Sequence, residues 1–531
     1  MKITYVSHAC LHVETGDATI AFDPWFEGPA HAGQWNVFPR PVDQAIVDTA
    51  AHIVVSHGHE DHLHGPTLES LARKKTLVYP YYWYGETFEY LKGLGFERTI
   101  EALSGRRYAL GPRTFLTAIV NGQDAILVVE ADGEVLVNVN DALHSSDVRL
   151  IELYTAMIRG RWPRIDAVFC GFGGASFFPN VFHCPGKDDA AVAALREQLY
   201  AHNFCRIVQR LAPDIAVPFA ADFVLLDPRQ RWINEARFPR ERIPEYYARH
   251  FAAGGRPRIV PMYPGDRLVD KRVELMPRPG VKSADGIRDS AVRGQYPDEI
   301  SAFTHPPACD LPLDTIAPAL RAHLEREARF FSAAALDGLR FAICLRDLAD
   351  EPWLNVAFRT REPRVTRSAH PDRAAAVRVD TMASILMNAV TTDWGGDALV
   401  IGYACEIEIL GPAEASRART CAELLTRYPR PRTYARRHPW RTFRYGMHSL
   451  PAVAQRLGIR LRRAIGRDAA TAGSKSAGRS HCWLTGDLEA IRAASGLPEW
   501  SITPAGGPPP PAEASPAPPR HRESGVATSR S

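Results

Sequence analysis

The sequence predicts an α/β protein. A layered sandwich of short strands and helices comes first, then a smaller α+β region and an Arg-rich helical segment. Three observations carry this prediction. Short runs of apolar β-formers, bounded by turn residues, recur through residues 1–275. A long stretch of helical spacing, 188–211, breaks their succession. The composition then shifts twice, to a polar Pro/Gly-containing stretch at 276–307 and to an Arg-rich one at 413–500.

In order along the chain, residues 3–8 and 11–14 alternate like a half-buried hairpin. Residues 19–22 form a third strand, stopped by Asp23-Pro24. Strand 52–56 ends at a histidine-rich loop, and strands 76–80, 114–120 and 124–129 follow. Asp132-Gly133 turns the chain into 135–139. Residues 165–169 are strand-like. The helix at 188–211 places Val192, Leu195, Leu199, Phe204 and Ile207 on one face, and 215–219 closes the first domain. Residues 276–307 read as a linker and 308–412 as a small α+β domain. In the latter, helices at 315–330 and 381–390 accompany strands at 339–346 and 353–358 and a closing pair at 399–403 and 406–410. Residues 501–531, with eight prolines, read as a disordered tail.

Across 531 residues the net charge is +4, from 64 basic and 60 acidic side chains. The balance is uneven. Residues 427–467 hold twelve Arg and no Lys, Asp or Glu, so the remainder carries 4 − 12 = −8. Tyr428, Tyr434, Trp440, Phe443 and Tyr445 lie among those arginines, and Leu457, Leu461 and Ile465 follow at helical spacing. We read the segment as a basic helical face that packs on the acidic remainder or on a protein, and read against nucleic acid as the partner. The nine cysteines are scattered and never spaced Cys-x-x-Cys, which excludes a disulfide framework and a Cys-based metal cluster. No stretch is apolar enough to span a membrane and no leader pattern opens the chain, so a cytoplasmic protein is expected.

The sharpest feature is Ser56-His57-Gly58-His59-Glu60-Asp61-His62. His57 and His59 point to one side if strand geometry continues into the loop. Asp61 and His62, on the following turn, reach a second ion about 3.5–4 Å away. Imidazole suits zinc or iron, and carboxylate suits the harder ion.

This His-x-His-x-Asp-His pattern resembles the metal motif of the metallo-β-lactamase-fold superfamily. The resemblance implies an αββα sandwich over residues 1 to about 230. It also implies that Asp23, at a strand end, supports the site from behind the ligands. Asp141, in Asn138-Val139-Asn140-Asp141, is then the carboxylate that bridges two ions. Four ordered segments are similar to the CMP-N-acetylneuraminate hydroxylase-like group of that superfamily. They are Asp23-Pro24-Trp25-Phe26-Glu27-Gly28-Pro29-Ala30, Asn138-x-Asn140-Asp141, Gly174-Ala175-Ser176-x-x-Pro179 and Pro218-Phe219-Ala220.

Two departures from the hydrolase pattern matter. Hydrolases of the superfamily have a further His between the cluster and Asp141, where this chain offers only Asp124. They have another near the end of the domain, where this chain has Ala220. His144, His183 and Asp222 are the candidates for a further ligand. Carboxylate in place of imidazole makes the site harder and favours iron over zinc. The expected centre therefore holds two metal ions, iron preferred and zinc the alternative. His57, His59 and Asp124 hold one, Asp61 and His62 the other, and Asp141 bridges. Asp61 and Asp141 are the expected catalytic carboxylates. The group's hydroxylase carries a Rieske electron donor, but here Cys10-Leu11-His12 is the only Cys-x-His and no Cys-x-x-His exists. The expected function is a non-haem iron oxygenase, a hydroxylase or N-oxygenase, acting on a small polar metabolite with electrons from a separate reductase or from the substrate. The alternative is a zinc hydrolase of an ester, lactone or phosphodiester.

Overall fold

A computed structural model describes residues 1–500 apart from 42, 175–177, 252–256, 277–288, 305–308, 451–453, 455–456 and 459–475. Two mixed sheets form its first half. The first has eight strands. Lys2–Ser7, Cys10–Glu14 and Thr19–Phe22 form an antiparallel meander, which His52–Val54, Thr76–Pro80 and Arg98–Ala102 extend in parallel. The second has seven strands. Thr114–Asn121, Asp124–Ala131 and Glu134–Asn140 pair antiparallel, and Ala167–Gly171 and Ile215–Phe219 then add in parallel.

Side-chain alternation shows how the sheets stack. Tyr5, Phe22, Val54 and Leu77 of the first sheet share one core with Leu127, Val129, Phe169 and Val217 of the second. The intervening residues Ile126, Val128, Val137 and Val168 point to the other face and are equally buried. The second sheet is thus covered on both sides, and the helix Asp189–Leu211 packs against it at Ala167–Gly171. This is the expected mixed α/β layering. The strands and the long helix fall within a few residues of the positions read from the pattern.

The later region is where sequence and structure part. Strand Cys405–Ile409 forms, but its partner is Val377–Thr381. The expected strand at 399–403 is replaced by the helix Asp397–Val400 and a turn in which Tyr403 has φ 63°. Leu399-Val400-Ile401 is apolar enough to suggest a strand. Tertiary packing overrides it: Ala398, Leu399 and Tyr403 are buried in the later core, and the turn passes so close to the Ala398 carbonyl at Gly402 that a Cβ there would collide with it. Strand Glu362–Ser368 was not anticipated either. Residues 276–307, read as linker, carry the helices Asp289–Gln295 and Pro297–Thr304. Val292 and Tyr296 there pack on Phe38, Val224 and Leu226.

The boundary near 275 does not separate two cores. Strand Phe182–His183 joins the later six-stranded sheet beside Cys405–Ile409. Trp25, Trp35 and Phe223 belong to the same apolar cluster as Ile343, Leu386 and Ile407. Residues up to Pro498 form one compact unit. The Arg-rich segment contributes the helices Ala415–Leu424, Pro431–Arg437, Pro439–His448, Ser476–Thr485 and Leu488–Ser495. Arg441 pairs with Glu101 and Arg430 with Glu327, so part of its charge packs on acidic partners. Leu461, Ile465 and the tail 501–531 lie outside the described residues. All nine cysteines are free.

The long helix buries one carboxyl at a cost. Burial pushes Glu197 up to about 7, although Arg237 and Arg196 oppose the shift. Its Oε2 has no hydrogen-bond partner. The folded chain therefore binds this proton more tightly than the unfolded chain, and stability falls as pH rises from the usual carboxylate range to about 7. Glu197→Gln should stabilise the protein at pH 8 by up to about 3 kcal/mol and give no gain near pH 4.5. Urea melts at the two pH values check this, and an equal effect at both would contradict it.

Candidate metal centre

One edge of the sandwich collects the chemistry. Strand directions put the C-terminal ends of Lys2–Ser7, Thr19–Phe22, His52–Val54, Glu134–Asn140 and Ile215–Phe219 at this edge. The start of the antiparallel strand Asp124–Ala131 lies there too. His8, Asp23, the loop at 57–62, Asp141, Ala220 and Asp124 therefore sit at or just beyond strand ends. Four of these turns run through left-handed, non-Gly residues: His8 (φ 35°), Asp23 (φ 40°), Asn140 (φ 51°) and Ala220 (φ 55°). His31 nearby has φ 53°. Such conformations persist where surrounding contacts enforce them, and they concentrate at functional sites. A register shift between Asn138 and Asn140 re-aims the chain at Asp141.

Asp23 is the fixed point. It is fully buried. One oxygen accepts from the Ser56 backbone N–H at 2.6 Å. The other accepts from Ser56 Oγ at 2.7 Å and Asn140 Nδ2 at 2.5 Å, and lies 3.1 Å from His62 Nδ1. Asp23 thereby sets the tautomer and aim of His62, whose Nε2 points into the cluster.

Three overlapping groups of side chains bring ligand-type atoms together. His57, His59 and Asp124 make the first, with His57 Nε2 2.9 Å from His59 Nδ1 and 3.7 Å from Asp124 Oδ1. His8, Asp61 and His62 make the second, with Asp61 Oδ2 3.1 Å from His8 Nε2 and 3.2 Å from His62 Nε2. His57, His62 and Asp141 make the third and lie between them, with Asp141 Oδ2 3.6 Å from His62 Nε2. Metal–ligand bonds of 2.0–2.2 Å at tetrahedral or octahedral angles separate ligand atoms by about 2.8–3.6 Å, a range that holds four of these five spacings. A second test concerns unmet bonding. Asp124 Oδ1 is buried beside His57 and His59 and has no hydrogen-bond partner, and His62 Nε2 faces two carboxylates, Asp61 at 3.2 Å and Asp141 at 3.6 Å. A cation satisfies such atoms. The residues present therefore fit two metal ions.

The carboxylates make this edge favourable for a cation, a proton on His62 where no metal is bound. Burial, reinforced by His62 and His59, holds His57 well below its usual value, so it is a neutral ring with a free lone pair. Burial alone would raise Asp61, but the His62 charge and hydrogen bonds from His31, His62 and His8 hold it well below the carboxylate range. Burial opposes a charged His62, yet Asp61, Asp141 and Asp23 raise it well above its usual value. Asp141 is lowered by His144 and His62 against burial, and Asp124 is raised by burial.

The structure brings together all six expected ligands, His57, His59, Asp61, His62, Asp124 and Asp141. Of the three further candidates, His183 and Asp222 are engaged elsewhere, and His144 lies beside Asp141 without joining the three groups. His183, in the later sheet, bonds through Nδ1 to Asp189 at the start of the long helix at 2.8 Å. Asp222 is occupied by Arg240 at 2.8 Å and by Tyr5. His144 stands beside Asp141, but its Nδ1–H donates to the Asp141 backbone carbonyl at 3.0 Å. His64, next to the motif, caps the helix Gly65–Ser70 and is held down to about 4 by burial.

Two residues that sequence reasoning missed take their place around Asp61. His31 Nε2 lies 3.1 Å from Asp61 Oδ1, and His8 faces Oδ2. His8 is also the neighbour of Ala220, whose N–H donates to the His8 carbonyl. The empty position at Ala220 is thus adjoined by an imidazole from the first hairpin. The sequence shows His8 only as a single histidine at a strand end, with no motif around it.

Residues 2–154 match the family model of the beta-lactamase superfamily domain. This segment is a beta-lactamase superfamily domain. Beyond it, the chain is 28% identical over 255 residues to cytidine monophosphate-N-acetylneuraminic acid hydroxylase of Danio rerio, covering 44% of this chain and 40% of that protein. It is 30% identical over 260 residues to the hydroxylase of Cricetulus griseus, covering 46% and 44%. The Homo sapiens relative, described as inactive, is 29% identical over 250 residues, covering 44% of this chain and 48% of its own length. The chain thus spans less than half the length of these relatives. Among solved structures, it is similar to CmlA, a diiron beta-hydroxylase from Streptomyces venezuelae (15% identity, TM-score 0.33, 52% of this chain and 54% of that one). It is also similar to Igni18, a metallo hydrolase from Ignicoccus hospitalis (17% identity, TM-score 0.34, 50% and 96%).

Two outcomes follow from the geometry. His59→Ala should lower the metal content by about one ion per chain in elemental analysis, and unchanged content would contradict the first group. Asp23→Asn, which loses the acceptor for His62, should weaken metal retention against a chelator by about 10–100-fold. Retention equal to the parent protein would show that Asp23 only braces the fold.

Proposed function

We propose that this chain is a non-haem diiron oxygenase acting on a small polar metabolite. His57, His59 and Asp124 would hold one iron, and Asp61 and His62, with His8 beside them, the other. Asp141 would stand between the two. Iron supplies the redox chemistry that dioxygen requires. The chain's own residues hold and orient. Asp23 fixes the His62 ring, His31 and His8 fix the Asp61 carboxylate, and the lowered pKa values of Asp61 and Asp141 keep both anionic.

The observation that carries the reading is Asp124. It occupies the third place of the first group with a carboxylate rather than an imidazole, a harder donor that suits iron. The sequence similarity to hydroxylases supports it over about 255 residues. Electrons would come from a separate reductase or from the substrate, because the sequence carries no Cys-x-x-His to complete a Rieske set.

Elemental analysis of protein purified with iron and zinc both supplied, followed by oxygen-uptake measurement with a chemical reductant, tests this. The expected result is about two irons per chain, visible absorption and oxygen consumption. Zinc alone, no colour, and hydrolysis of an ester, lactone or phosphodiester would replace the oxygenase with a hydrolase.

A further inference from the structure

The helix Pro439–His448 has two unlike faces. Its inner face is engaged with the sandwich. Arg441 pairs with Glu101 and its guanidinium stands 4.4 Å from the centre of the Tyr81 ring. Arg444 stands 5.2 Å from the same ring. Tyr445 Oη donates to the Gly122 carbonyl at 3.1 Å. These contacts fix the rotation of the helix about its axis.

The outer face is apolar and open. Trp440, Phe443 and Met447 follow the i, i+3, i+7 spacing of one helix face, and Leu450 continues it just past the helix end. They are 73%, 58%, 57% and 56% exposed. The rings of Trp440 and Phe443 stack on each other at 5.7 Å, so they present one continuous apolar ridge. A soluble surface rarely exposes such a ridge without use.

The charge beside this ridge is mainly basic, with Glu86 4.0 Å from His438 Nε2. Arg427, Arg430 and Arg441 are paired with Asp393, Glu327 and Glu101. Arg432, Arg436 and Arg437, on the adjoining helix Pro431–Arg437, are exposed, and none of them ion-pairs with a carboxylate among the described residues. No acidic residue occurs in the sequence between 427 and 467. The occupant of this face is therefore anionic and offers an apolar layer.

We propose that Trp440, Phe443, Met447 and Leu450 insert into the surface of an anionic lipid bilayer, with Arg432, Arg436 and Arg437 on its headgroups. An apolar helix face bearing Trp and Phe, flanked by arginines, is the composition of an interfacial helix. Nucleic acid fits less well, because Met447 and Leu450 offer no ring for a base to stack on. A specific protein partner fits less well too, since it buries roughly 800 Å² on each side and one ten-residue helix face is small against that. The surface lies next to the candidate centre. Tyr445 bonds Gly122, two residues before Asp124. Docking would bring the edge of the sandwich that carries Asp124 close to the membrane. The proposal does not depend on which metal or reaction the centre supports.

Co-sedimentation of the full chain with vesicles tests it. Phosphatidylcholine vesicles are compared with vesicles containing about 30% phosphatidylserine. The expected result is binding to the anionic vesicles that weakens with salt, and little binding to phosphatidylcholine alone. The double variant Trp440→Ala/Phe443→Ala should lose about tenfold or more of that binding. The triple variant Arg432→Gln/Arg436→Gln/Arg437→Gln should lose a comparable share and flatten the salt dependence. Unchanged circular dichroism and metal content show that each variant is folded. Quenching of tryptophan fluorescence by brominated lipid, lost in Trp440→Tyr, reports insertion directly. No binding to anionic vesicles, or binding that the double variant leaves intact, would overturn the proposal. So would tighter binding of duplex DNA or polyglutamate than of vesicles, if it too depended on Trp440.

Discussion

The candidate centre depends on one buried carboxylate. Asp23 accepts hydrogen bonds from Ser56 and Asn140 and touches His62, so it ties the ends of three strands from both sheets to one ligand. A fully buried carboxylate persists only if its oxygens are satisfied, and here the satisfying groups are the parts of the site that must be positioned. The same bonds that make Asp23 tolerable fix where the loop at 57–62 leaves its strand. They also fix how the second sheet delivers Asn140-Asp141.

The edge that Asp23 organises is strained in the direction of use. His8, His31, Asn140 and Ala220 all take left-handed backbone conformations close to the cluster. The later region bears on one of them, His31. The turn at Gly402 passes so near that a Cβ there would lie 3.0 Å from the His31 Cβ, and Trp35 stacks at 3.5 Å on Phe223 and edge-on at 4.7 Å to His31. The later sheet therefore is not an appendage. It shares a core with Trp25 and Trp35 and, through Trp35, helps hold His31 beside Asp61.

Sequence patterns revealed the sandwich because its strands are short runs of apolar β-formers that end at Asp-Pro, Asp-Gly or histidine-rich turns. The motif at 57–62 was legible because its ligands are contiguous, Asp124 because it is the carboxylate at a strand start, and Asp141 through the family resemblance. His8 and His31 were not legible. Each is a single histidine in an ordinary stretch, and only strand pairing across the edge brings it to Asp61. His183 and Asp222 misled for the opposite reason: both are polar residues at strand ends, but Asp189 and Arg240 claim them. The helix at Asp397–Val400 was misread because local apolarity does not distinguish a short buried helix from a strand.

The central claim is that this edge holds two metal ions in distinct ligand sets joined by Asp141. Anomalous difference maps from crystals of the metal-loaded protein, collected at the iron and zinc absorption edges, test it most directly. The account predicts two iron peaks about 3.5–4 Å apart. One should lie among His57, His59 and Asp124, the other among Asp61, His62 and His8, with Asp141 between them. A single peak, or peaks at the zinc edge alone when both metals were supplied, would contradict it.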